Sequence, residues 1–209
     1  MPQVSPPPKC NASSPAGSGL EVRPALAAAL LLALTGAALA AALPRPSPEF
    51  SIAEPGKPAF ALSSLKGKVV VLEFMFVRSQ HCQQVARTLN SLYGELGARG
   101  FQPLAVVFDP PTGSTAGPQG VSFMTSYLKL TYPVGYASKQ SVDSYLGRAP
   151  NEILNIPQVV VIDRNGTIRA ASGGRGGDPT LEDAGALRAL LEKLLRDSGR
   201  TASDIRKAD

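Results

Sequence analysis

Val69-Val70-Val71-Leu72-Glu73-Phe74-Met75-Phe76, followed by Val77-Arg78-Ser79-Gln80-His81-Cys82 and a run from Gln83 to Leu96, decides how this chain folds. The first eight residues are almost continuously apolar and begin with three β-branched side chains, the pattern of a central strand covered on both faces. Glu73 interrupts it. From Gln83 onward Val85, Leu89, Leu92, Tyr93 and Leu96 recur at spacings of three and four and build one apolar helix face, which Gly97 and Gly100 are expected to end. A strand that runs into a helix through Ser79-x-x-Cys82 puts a sulfur in the first helical turn. A Cys-x-x-Cys pair at such a place exchanges disulfides, because the first thiolate is stabilised by the helix start and the second lies one turn away. Here Ser79 holds the first place, so no disulfide can close within the motif.

Working outward, Phe50-Ser51-Ile52 and Ala59-Phe60-Ala61-Leu62 alternate around Glu54-Pro55-Gly56-Lys57, which predicts a hairpin. Downstream, Leu104 to Phe108 predicts a strand, 110–120 a Pro/Gly-rich loop, 121–130 a helix, 132–136 an extended segment and 141–146 a short helix. Val159 to Ile162 and Thr167 to Ala170 read as two strands across Asp163-Arg164-Asn165-Gly166, whose Asn-Gly pair suits a tight hairpin. Thr180 is expected to cap a last helix carrying Leu187, Leu190, Leu191, Leu194 and Leu195, and residues 197–209 form a polar tail. The order is strand, helix, strand, insert, hairpin, helix: an α/β domain over residues 49–196.

The chain of 209 residues leaves room for that domain and an N-terminal extension. Residues 25–43 hold ten Ala, seven Leu, one Thr and one Gly and no charge, enough for a membrane-inserting hydrophobic helix. It reads either as an anchor or as a signal peptide: Lys9 and Arg23 precede it, and Ala38-Leu39-Ala40 offers a small-x-small cleavage pattern. Either places the domain on the extracytoplasmic side of the membrane, anchored, or periplasmic or secreted if cleaved. Residues 1–24, rich in Pro, Ser and Gly, are predicted to be disordered, and Pro44 to Pro48 reads as a linker. The net charge of +5 is scattered among Asp and Glu, a solvated mixed surface with no nucleic-acid stripe. Cys10 and Cys82 lie on opposite sides of the hydrophobic run, so an internal bridge is not expected. His81 is the single histidine, and carboxylates alone make a poor set for zinc or copper, so no metal and no cofactor is expected.

Three stretches, "SSLKGKVVVLEFMF" (63–76), "SLYGEL" (91–96) and "NIPQVVVIDRNGTIRAASGG" (155–174), together resemble the TlpA/ResA branch of the thioredoxin superfamily, overlapping the redoxin or AhpC/TSA group, over about residues 49–196. The resemblance implies a thioredoxin-like fold, a central mixed sheet flanked by helices, preceded here by the hydrophobic segment. It also implies oxidoreductase chemistry with a thiol or disulfide protein as partner. The departures are Ser79 for the first cysteine, and Met75 and Arg78 where tryptophan is usual.

Site residues follow, each with two readings. Cys82 is either a thiolate stabilised by the helix start and His81, or a buried remnant behaving as a small hydrophobe. Ser79 reads as the helix N-cap more than as a nucleophile, because no base is evident. His81 either tunes Cys82 or is an exposed helix-start residue. Glu73 matches the family's buried carboxylate, by resemblance a proton acceptor for the second cysteine, or else is an edge-facing Glu paired with a Lys. Pro157 after Ile156 resembles the family's cis-proline, which presents backbone to a bound peptide or thiol. Three functions compete: a single-cysteine thiol oxidoreductase forming mixed disulfides through Cys82, a peroxiredoxin-like peroxidase using Cys82, and a redox-silent binding module.

Overall fold

A computed structural model describes residues 43–108, 117–149, 152–173 and 177–197. The expected N-terminal tail with Cys10, nearly all of the hydrophobic segment and residues 198–209 lie outside them. No described helix is long and apolar enough to cross a membrane.

The apolar run forms β4 (Val69–Met75), every residue of which is buried. It sits inside a six-stranded sheet ordered β1-β8-β7-β4-β5-β6, formed with β1 (Arg45–Pro46), β5 (Phe101–Phe108), β6 (Val134–Ala137), β7 (Gln158–Ile162) and β8 (Thr167–Ala171). Strands β4, β5 and β6 are mutually parallel, while β7 runs antiparallel to β4 and β8, and β1 antiparallel to β8. The small hairpin β2 (Ser51–Ile52) and β3 (Phe60–Ala61) forms where the alternating segments predict it. Residues expected to be linker contribute an edge strand at 45–46, and Ser47 lies 3.0 Å from the Tyr145 hydroxyl.

Strand alternation divides the interior into two cores. Val69, Val71 and Met75 face one that also receives Cys82, Val85 and Leu89 of α1 (Gln80–Leu96), Met124 of α2 (Pro118–Leu128) and Leu187 and Leu191 of α4 (Ala184–Asp197). Val70, Leu72 and Phe74 face the other, closed by Phe50, Ile52 and by Val142 and Tyr145 of α3 (Lys139–Leu146). Helices thus flank the mixed sheet on both sides. The hairpin docks on β6 because Gly135 has no side chain: a Cβ there would lie 2.9 Å from the Ala53 carbonyl oxygen, which accepts from the Tyr136 N–H at 3.0 Å.

Three local readings change. Gly97 stays right-handed and one 3-10 turn (Gly97–Arg99) follows, so the left-handed stop is Gly100 alone, at φ 99°. The β7–β8 turn spans four residues, closed by Gly166 N–H to the Asp163 carbonyl at 3.0 Å with only Gly166 left-handed. Thr180 does not cap α4. It belongs to the 3-10 turn Pro179–Glu182 capped by Asp178, while the Asp183 carboxylate accepts from the Ala186 N–H at 2.8 Å and caps α4.

Candidate functional site

The loop from Met75 to Ser79 turns the chain from the end of β4 into α1. Ser79 adopts extended backbone, φ −80° and ψ 114°, and its hydroxyl oxygen accepts from the Cys82 N–H at 3.3 Å. It is the helix N-cap, satisfying one of the four donors that a helix start leaves open. Gln83 tightens the turn by donating from its side chain to the Val77 carbonyl at 2.9 Å.

This capped turn directs Cys82 into the core, where its relative exposure is 0%. Burial pushes its thiol up to about 11, against the lowering effect of hydrogen bonding to Ser79, and the charge of Glu73 adds to the rise. A thiol in that environment is held protonated, which matches the buried-remnant reading of Cys82 rather than the helix-start thiolate, because lost solvation outweighs the helix N-terminus.

Glu73 faces the same core, between Ala105 of β5 and Val159 of β7. It is not an edge residue paired with a lysine. It is fully buried, and neither carboxyl oxygen has a hydrogen-bond partner. Burial first, and then the charge of Glu182, lifts its pKa well above the usual carboxylate range. Tyr132, whose hydroxyl donates to the Ala86 carbonyl at 3.3 Å, is likewise raised by burial and by Glu73. Sequence reading missed Tyr132 and Glu182, since neither lies near the motif in the chain.

The His81 side chain lies at the surface, engaged with the segment before α4. Its Nε2 lies 2.7 Å from Glu182 Oε2, at the half-exposed junction between the start of α1 and the 3-10 turn before α4. On the other flank, Phe74 is in register with Gln158, so one further step places Pro157 beside Met75 at the sheet end where α1 begins. The Ile156–Pro157 bond is cis, Pro157 is buried, and Ile156 packs on the core that holds Cys82. A cleft lined by Ser47, Glu49, Leu62, Lys66, Val70 and Asp163 lies at the opposite end of β4, about 17 Å away along the strand. It takes no part in this arrangement.

What the fold brings together is therefore one thiol, one unpartnered buried carboxyl and a cis-proline edge at one end of the sheet. The AhpC/TSA family matches residues 44–171, and the chain belongs to that family. Among solved structures, a thiol:disulfide interchange protein of the thioredoxin family from Chlorobium tepidum TLS is 21% identical, with TM-score 0.58, covering 74% of this chain and 98% of its own. The thioredoxin domain of a thiol-disulfide oxidoreductase from Bacteroides vulgatus is 19% identical, with TM-score 0.57, covering 74% and 98%. A thiol:disulfide interchange protein from a Bacteroides species gives 19%, 0.57, 74% and 91%. These likenesses establish that the fold is thioredoxin-like. No curated protein matches the sequence.

Proposed function

We propose that the protein is an extracytoplasmic thiol oxidoreductase with a single-cysteine site, in which Cys82 forms mixed disulfides with a thiol or disulfide protein. The observation that carries this reading is Glu73. A buried carboxyl with no partner costs stability and supports no neighbour, so its presence in the same core as the buried Cys82 thiol is explained by proton exchange with it. The interchange proteins of like fold add support, and so does the cis-proline edge, against which an incoming peptide would lie.

In the proposed step the Cys82 proton passes to ionised Glu73, whose raised pKa makes it a better base than an ordinary carboxylate. The sulfur attacks one sulfur of the partner's disulfide, that bond breaks, and the departing partner thiolate recovers the proton. A mixed disulfide and one partner thiol result. No second thiol stands at Ser79 to release it, and a serine hydroxyl without a base cannot substitute. Residues 25–43 carry the domain across the membrane, as anchor or as cleaved signal, and protease added to spheroplasts would reach it. Peroxidase chemistry by the same thiol is less well supported, because the solved structures of like fold include thiol:disulfide interchange proteins.

The complete burial of Cys82 favours a second reading, a redox-silent module that binds partners at the Pro157 edge. Insulin reduction with dithiothreitol, together with native-state thiol labelling, separates the two. The exchange reading expects no catalysis of insulin reduction, but slow labelling of Cys82 in the folded protein. Labelling that requires denaturant would establish the silent module.

A further inference from the structure

Between β8 and α4 the chain passes beside the start of α1 and packs on the core that holds Cys82. This segment, residues 178–183, is fixed at one end by the Asp178 N–H to the Ala171 carbonyl at 2.8 Å and at the other by the Asp183 cap of α4. Between those ends two side chains tie it down. Leu181 is 2% exposed in the core that contains Cys82, and Glu182 reaches His81, the residue preceding Cys82 in the first turn of α1. The turn itself is preformed: Asp178 Oδ1 accepts from both the Thr180 N–H and hydroxyl, at 2.9 and 2.6 Å.

Cys82 is closed to solvent, yet Glu73 behind it is an unpartnered carboxyl that nothing in the static core uses. Glu182 is near enough for its charge to act on Glu73 while its own carboxylate holds His81 at the surface. We infer that residues 178–183 form a latch over the exchange site, closed by Leu181 and the Glu182–His81 pair, and that a partner sulfur reaches Cys82 when this latch opens. The inference rests on the proposed reading of Cys82 as an exchange centre. The latch supplies what that reading lacks, a route by which a buried thiol meets a protein substrate. Partner selection then includes the ability to displace Glu182 from His81, a task suited to a peptide carrying a carboxylate to replace it or a cation to capture it.

The test uses the full chain with Cys10→Ala, so that Cys82 is the one thiol, and reads its labelling rate by an uncharged maleimide. Glu182→Gln and His81→Gln should each raise the rate about two- to fivefold, the range a partly exposed pair supplies. The double variant should match either single one, because both break the same contact. Arg188→Gln, which removes the exposed Arg188–Glu95 pair at 2.7 Å elsewhere on α4, should leave the rate unchanged. Unaltered rates in Glu182→Gln and His81→Gln would overturn the latch. Rates that track the urea midpoint across all variants would overturn it too, by assigning exposure to global unfolding. Faster labelling without mixed-disulfide formation would uphold the latch and remove the exchange chemistry. Mixed disulfides forming equally fast in every variant would do the reverse.

Discussion

Glu73 and Cys82 enter one core from two elements, a central strand and the helix that follows it, and the charge of the carboxyl raises the pKa of the thiol. Burial raises both groups and the carboxylate charge opposes ionisation of the thiol, so the state with both protonated is the low-energy one. The structure is thereby biased toward a quiet resting thiol.

With its pKa pushed up to about 11, Cys82 presents roughly one thiolate in ten thousand at pH 7. Its rate of alkylation in the folded protein should therefore climb about tenfold per pH unit until near pH 11. The sign for stability follows: the folded state keeps the proton that the unfolded thiol loses, so stability falls as pH rises from about 9 through 11. Alkylation rates against pH check the first, and urea midpoints over the same range the second.

Replacing Glu73 should stabilise the protein. Glu73→Met removes an unpartnered buried carboxyl at similar volume, and the gain at neutral pH should be about 1–3 kcal/mol. The folded pKa of Glu73 is raised above its unfolded value, so its contribution is most favourable below about pH 4.5 and is lost as pH rises through the folded pKa. The advantage of Glu73→Met should thus widen from acid to neutral pH, while exchange at Cys82 slows. Urea unfolding at both pH values is the check.

Much of this was legible in the chain. Continuous apolar character marked β4 and three-and-four spacing marked α1, while the position of Ile156-Pro157 beside the site came from the resemblance to the thioredoxin superfamily rather than from local pattern. Local pattern failed where tertiary contact decides. Glu182 is about a hundred residues from His81, and no spacing rule connects a 3-10 turn to a distant helix start. Thr180 and Asp183 both look like caps, and the choice depends on where the chain leaves the sheet. At Cys82 the motif left a helix-start thiolate and a buried thiol both open, and the choice depends on the surrounding core, which buries it.

Ser79 carries two separable roles. Ser79→Ala should cost about 1 kcal/mol through the lost cap, measured by thermal or urea unfolding. Ser79→Cys should instead create turnover in insulin reduction, because a second sulfur one turn from Cys82 can release a mixed disulfide. An inert Ser79→Cys variant with intact stability would show that the surroundings of the motif, exposed Arg78 and buried Met75 included, serve binding alone.

The most direct test of Cys82 as an exchange centre is the intact mass of the Cys10→Ala chain after incubation with oxidised glutathione at alkaline pH under native conditions. A single glutathione adduct should form slowly, persist because nothing in the site can release it, and be absent from the Cys82→Ser variant. A chain that remains unmodified when folded and gains the adduct only in urea would contradict the account.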